Sequence, residues 1–460
     1  MTKKVSMTTN RHRLAWLAIL AMMLFLAACR ERSPEAALDT PATTETPVGD
    51  SGVKATTAVH LPLAPAGDGI TPAAATTAGR QQEPPTPEST ITGLTATPSP
   101  EATVTPLPAW LVYDGPTLAR DQMGLQIHLH REDQAAIVAQ LGELGVGWVK
   151  TQISWKLFQP GPERVDEELF AELDDFIALA VENDLQVMLG VAKAPEWSRP
   201  TTELDGPPSD YGLFQQFMTM LAGRYQGRVA AYELWNEPNL QREWNGAPLS
   251  AAALVDLVRA GAAGVRGADP QAVLISAAPA TTGVNDGLIA IDDRQYLGQM
   301  LAAGVANVVD AIGAHPYGWA NPPDSSVHDA EHVTSSHNDH PSFYFADTLD
   351  DYRRILEEAG YGEVPIWVTE FGWGSYDGLG RQPPEGQGYM AEVSEPQQAI
   401  YTRRAFVMAQ ERSGIGPLIL WNLNFGPTFG ADFIESSYSL LRPDGTKRPV
   451  YQALVGVPKR

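Results

Sequence analysis

The 460-residue sequence has a single cysteine, Cys29, so no disulfide can form within the chain and stability must come from the core alone. Basic residues are also scarce: 32 Lys and Arg stand against 55 Asp and Glu, for a formal net charge of −23. Such a surface repels nucleic acid and anionic membranes, which excludes DNA or RNA as a partner, while neutral ligands meet no penalty. No glycine-rich phosphate turn follows the first predicted strand, which runs instead into His128-Leu129-His130. That absence argues against an open, doubly wound nucleotide-binding sheet.

What is present falls into three stretches. Lys3, Lys4, Arg11 and Arg13 precede an apolar run from Leu14 to Ala28. A basic start followed by an apolar run too short to span a bilayer comfortably reads as an export signal. It ends in Leu26-Ala27-Ala28-Cys29, which resembles the lipobox of bacterial lipoproteins. That resemblance implies a signal peptide over 1–28 and lipid on Cys29. The protein would then be exported and held to the membrane only by its lipid anchor. Residues 29–108 are rich in Ala, Thr, Pro, Ser and Glu without period 2 or 3.6, a composition that predicts a disordered tether.

From residue 109 to 460 short apolar runs alternate with amphipathic stretches. The runs are 123–129, 147–153, 185–191, 229–235, 272–277, 308–314, 366–369 and 418–423. Helical patterns fill the intervals, the clearest placing Leu169, Leu173, Phe176, Ile177 and Ala180 on one face. Eight strands, each followed by a helix, predict an α/β protein with a closed (β/α)8 barrel, whose chemistry sits at the C-terminal ends of the strands.

Two of those ends carry carboxylates within patterned sequence. The fourth strand ends Trp235-Asn236-Glu237-Pro238-Asn239, and the seventh ends Thr369-Glu370-Phe371-Gly372-Trp373. A carboxylate pair is what glycoside hydrolysis uses, one group handling the proton and the other attacking or activating water. Together the two segments resemble the clan A retaining glycoside hydrolases, notably families 5 and 39. By that resemblance Glu237 is the acid/base and Glu370 the nucleophile, ~5–5.5 Å apart, acting on a β-linked oligo- or polysaccharide. The acid role implies a Glu237 pKa raised toward ~6. It also implies a β-bulge at the fourth strand's end, so that Asn236 reaches the sugar while Glu237 faces the same site.

The resemblance assigns further residues. His315-Pro316-Tyr317 ends the sixth strand, with Tyr317 against the nucleophile and His315 lining the sugar site. Trp421, ending the eighth strand, becomes the floor beneath the reacting sugar. Trp197 and Trp373 lie near strand ends and join the candidate sugar-binding residues, as does Lys150, where many clan members carry arginine. Two carboxylates move protons without a Lewis acid, so neither cofactor nor metal is expected. The insert bearing His328, Asp329, His332, His337, Asp339 and His340 matches no metal-ligand spacing and reads as a polar lid loop. Residues 441–451 resemble the hairpin-like turn and last helix that close many clan members. The expected protein is a monomeric hydrolase. The alternatives are a carbohydrate-binding lipoprotein on the same fold, or a transglycosylase sharing the same residues.

Overall fold

The computed structural model describes Pro108 and residues 110–460. The signal segment, Cys29 and the tether lie outside the described residues.

The eight strands are β1 (Met123–Ile127), β2 (Trp148–Ser154), β3 (Gln186–Ala192), β4 (Ala231–Leu234), β5 (Val273–Ser276), β6 (Ile312–Ala314), β7 (Ile366–Phe371) and β8 (Ile415–Leu420). All pairings are parallel, in the order β5-β4-β3-β2-β1-β8-β7-β6. Bridges Ile275↔Ala311 and Ala280↔His315 join β5 to β6 and close the ring. Each strand is followed by its helix: α1 (Gln134–Leu144), α2 (Glu167–Glu182), α3 (Tyr211–Arg224), α4 (Ala251–Ala268), α5 (Asp293–Ala302), α6 (Phe345–Glu358), α7 (Glu395–Gln410) and α8 (Pro449–Val455). This is the predicted (β/α)8 barrel, and every predicted strand overlaps an observed one.

Local chemistry explains where the helices start. Asp133, Asp166, Asp210, Ser250 and Asp292 each accept a backbone N–H from the first turn that follows them. Ser394 and Gln397 form a reciprocal capping box on α7. Each such cap satisfies N–H groups that the helix cannot use itself.

Two main hydrophobic clusters result, beside a small third one of Leu240, Ala280 and Ala290. One lies between strands and helices. The other fills the barrel's inside: Trp148, Met188, Ala231, Ile275, Ala311, Trp367 and Ile419, with Trp148 edge-on to Trp367 at 5.1 Å. Inward side chains of all these strands thus plug the barrel, leaving only the C-terminal mouth for chemistry. The closing elements also form as expected, with Leu441 bridged to Lys447 before α8. Among the described residues no helix is long and apolar enough to cross a membrane.

Candidate active site

The end of β4 departs from the expected geometry. Its ladder with β3 is regular through Leu234, so there is no bulge. The chain instead bends through Trp235 (φ 86°) and Glu237 (φ 39°), both in the left-handed region. Non-glycine residues there cost roughly 1–3 kcal/mol each and collect at functional sites. The bend frees Asn236 and Glu237 from strand alternation, which achieves what the bulge was invoked for. The ladder irregularity occurs on β7, between Val368 and Phe371, flanking Glu370.

The two glutamates meet at one imidazole. His315 Nδ1 stands 3.2 Å from Glu237 Oε1 and 3.9 Å from Glu370 Oε2. Tyr317 OH donates to Glu370 Oε2 at 3.0 Å, as the resemblance implied. On its other oxygen Glu370 receives Lys150 Nζ at 3.3 Å. Gln126 on β1 completes this side. With its amide turned to match its neighbours, it donates to Glu370 Oε1 and accepts from Trp421 Nε1, both at 3.2 Å. Sequence reasoning missed Gln126, and a lone glutamine in an apolar strand was the available signal.

Lys150 requires a correction. It was grouped with sugar-binding residues, yet it is 1% exposed and salt-bridged to Glu233 Oε2 at 2.7 Å. Burial opposes its charge, but Glu233 and Glu370 outweigh burial and raise its pKa. Glycine at position 190 on β3 makes the reach possible. A Cβ there would lie 3.1 Å from Lys150 Cε and 3.2 Å from Glu233 Oε2. Glu233 itself was missed. Burial disfavours its charge, but Lys150 and His315 prevail and hold it at about 2. For His315, 0% exposed, burial likewise works against charge, and Glu370, Glu233 and Glu237 lift it to about 10.

The acidity expected of Glu237 is reversed. Burial would raise its pKa, but His315 and Arg242 hold it at about 2. Arg242, in the 3-10 turn Gln241–Glu243, places Nη2 2.5 Å from Glu237 Oε2. The interior therefore balances three carboxylates, Glu233, Glu237 and Glu370, against Lys150, His315 and Arg242. Buried charges persist only with such compensation.

The aromatic candidates separate by burial. Trp421 is half-buried at the mouth, with Tyr317 edge-on at 6.0 Å and Phe425 at 5.6 Å. Asn236 is half-buried beside Glu237 in sequence. Trp197 is half-buried after β3, its indole N–H donating to Gln159 O. Trp373 is a second correction. It is 1% exposed, packs on Phe345 and Phe371, and donates to Asn321 O. It also underlies Gly318, where any Cβ would come within 2.5 Å of the indole. No face of Trp373 remains for a sugar.

In the insert after β6 three of the four imidazoles, those of His332, His337 and His340, have partners of their own. His337 stacks on Trp319 at 4.5 Å, His332 Nδ1 pairs with Tyr344 OH at 2.9 Å, and His340 Nδ1 accepts from Ser342 N. Among the described residues, no group of three His, Cys, Asp or Glu is placed to hold a metal ion.

The family model "Cellulase (glycosyl hydrolase family 5)" matches residues 114–403. No curated protein matches the sequence. Several solved structures are similar in fold. A family 39 glycoside hydrolase from the gut symbiont Bacteroides cellulosilyticus WH2 superposes with TM-score 0.55 at 20% identity, covering 74% of this chain and 64% of that one. The chain thus spans less than two thirds of that enzyme's length. A glucosidase from Croceicoccus marinus gives TM-score 0.51 at 15% identity, covering 74% of this chain and 68% of its own. GH5_18 from Streptomyces cattleya, solved in complex with GlcNAc, gives 0.50 at 14% identity, with 74% and 80% covered. At these identities the likeness is one of fold.

Proposed function

Because this chain belongs to glycosyl hydrolase family 5, the cellulase family, and is a glycosidase, we propose that it cleaves a β-linked oligo- or polysaccharide by retaining double displacement. The observation that carries the reading is the convergence of Glu237 and Glu370 on His315 Nδ1, from strands on opposite sides of the barrel mouth. Two carboxylates that flank one side chain in this way match the pair that glycoside hydrolysis uses, and the retaining arrangement sets them about 5–5.5 Å apart.

In the first step the Glu370 carboxylate attacks the anomeric carbon while Glu237 gives its proton to the departing glycosidic oxygen. The C–O bond to the leaving sugar breaks, and a glycosyl ester of Glu370 remains. Forming the ester removes the negative charge of Glu370. Lys150, still paired with Glu233 at 2.7 Å, is not stranded as an isolated buried cation. In the second step water attacks the same carbon, Glu237 takes its proton, and Glu370 is released. Two inversions return the starting configuration. Trp421 serves as the floor beneath the sugar's apolar face, and Asn236 meets its hydroxyls.

Proton NMR of the first-formed anomer tests the reading. A retained β-anomer is expected, and an inverted one would remove Glu370 as nucleophile. Transfer products in the same spectra would identify transglycosylation. A panel of plant and bacterial β-glycans, with products sized, names the sugar.

We further propose that the protein is exported and lipid-anchored through Cys29, from the lipobox-like Leu26-Ala27-Ala28-Cys29. Cys29→Ser should move the enzyme from the membrane fraction to the soluble one. Unchanged fractionation would refute the anchor.

A further inference from the structure

Both carboxylate oxygens of Glu237 have a partner within the protein. His315 holds Oε1 at 3.2 Å and Arg242 holds Oε2 at 2.5 Å. The two partners are not equivalent. His315 is fully buried behind the pair, whereas Arg242 is 10% exposed in a turn beside the mouth. Oε2 is therefore the oxygen that faces an incoming glycosidic bond, and a guanidinium already occupies that place.

The turn is firmly seated. Leu240 bridges Ala290, Gln241 N donates to Ile289 O, and Trp235 Nε1 donates to Glu243 O. The Arg242 head is held less completely than its backbone. Its Nε has no hydrogen-bond partner and lies 4.0 Å from Glu243 Oε1. Beyond Glu237, it faces the carboxyls of Glu243 and of Glu435, the latter on the loop after β8. Glu435 Oε2 is buried without a hydrogen bond. A guanidinium that leaves Glu237 thus has two other acidic neighbours to receive it.

Building on the double-displacement reading, we propose that Arg242 is a displaceable counter-ion of the acid/base. The leaving-group sugar evicts it, so Glu237 becomes a proton donor only when that sugar is in place. Arg242 is then a positioning residue that couples acid strength to occupancy of the leaving-group side. While paired to Arg242, Glu237 stays ionised and cannot protonate anything. Once the guanidinium withdraws, only His315 still opposes burial, so the neutral acid gains ground and the carboxylate takes up one proton from solvent more readily. The other groups facing Glu237 do not supply this conditionality. His315, Glu370 and Tyr317 come from β6, β7 and the loop after β6. Glu233 and Lys150 sit deeper, and Lys193 after β3 pairs with Asp205 and acts on Glu243. All of these are held by partners other than an incoming sugar.

The test is a carbon-13 NMR titration of the Glu237 carboxyl, identified by its loss in Glu237→Gln. It is run on the free enzyme and on Arg242→Met and Arg242→Lys. The Met variant should raise the Glu237 midpoint by about one pH unit or more, and Lys should stay near wild type. In the non-turning Glu370→Gln background, saturating cellotetraose should raise the midpoint while Arg242 is present and add little once it is Met. Kinetically, the basic limb of kcat/KM reports the free enzyme's acid. For cellotetraose that limb should move upward in Arg242→Met. For 2,4-dinitrophenyl β-cellobioside, which leaves without protonation, it should not move. A midpoint unchanged in Arg242→Met, or one that cellotetraose leaves alone, overturns the proposal. If cellotetraose does not bind, the same titration is run with the glycan that the β-glycan panel identifies. An inverted first anomer would instead sink the double displacement without altering the titration, so the two failures are distinguishable.

Discussion

Glu370→Gly is expected to lower kcat by about 10⁴-fold or more, about 5.5 kcal/mol of lost transition-state stabilisation at 1.36 kcal/mol per tenfold. The fold should survive the change. Lys150 keeps its 2.7 Å pair with Glu233, so no buried cation is orphaned, and Tyr317 loses one hydrogen bond. The glycine also leaves a carboxylate-sized hole bordered by Lys150 Nζ, Tyr317 OH and the Gln126 amide, all donors. A small anion such as formate or azide fits that chemistry. Rescue by either should therefore appear with activated aryl glycosides. Azide attacks in a single step, so its glycosyl azide should have the opposite anomeric configuration from the substrate. Product NMR reads this directly. A glycosyl azide of retained configuration would mean that Glu370 is not the attacking group.

Glu237→Ala should divide substrates by their leaving groups. With unactivated oligosaccharides the loss should be about 10²–10⁴-fold, the usual worth of a positioned general acid. With 2,4-dinitrophenyl glycosides the first step should survive nearly intact, because that phenolate needs no proton. The second step then becomes limiting, since no base activates water, and a burst of dinitrophenol should precede slow turnover. A plot of log kcat/KM against leaving-group pKa should steepen relative to wild type. Equal losses across the series would refute the acid role. A stability cost should accompany the change. Arg242 and His315 both lose the carboxylate they face, and removing one member of a buried ion pair costs about 3–5 kcal/mol. Glu237→Gln keeps the shape but also removes the charge, so its stability loss reports the ion pairs without the cavity.

Much of the barrel was legible because its strands are buried on both faces and read as apolar runs of strand length. Boundaries drifted where turn geometry intervened. The run predicted at 308–314 yields only Ile312–Ala314, because its start follows the 3-10 turn Val305–Asn307. The meeting of Glu237 and Glu370 at one mouth was legible from their motifs, and the placement of Tyr317 from the resemblance carried by His315-Pro316-Tyr317. What stayed hidden depends on contacts between distant segments. The Lys150–Glu233 pair forms across β3 over position 190, where a side chain would crowd both partners. Trp373 looked like a rim aromatic until Gly318 and Asn321 closed over it. The acidity of Glu237 was misjudged for the same reason. Burial could be guessed from the sequence, whereas a guanidinium five residues later folding back onto the carboxylate could not.

The apolar plug inside the barrel, with Trp148 against Trp367, leaves no passage through the barrel axis, so sugar and water both reach Glu237 and Glu370 from the C-terminal side. Traffic there must be sequential. On the double-displacement reading, the first sugar to leave must vacate its place before anything can take it beside the glycosyl ester. Whatever arrives next, water or another glycan's hydroxyl, comes through the same opening and competes for the same vacated spot. Crowding the solution with substrate should therefore lengthen some chains while others are shortened, with the balance set by queueing at the entrance.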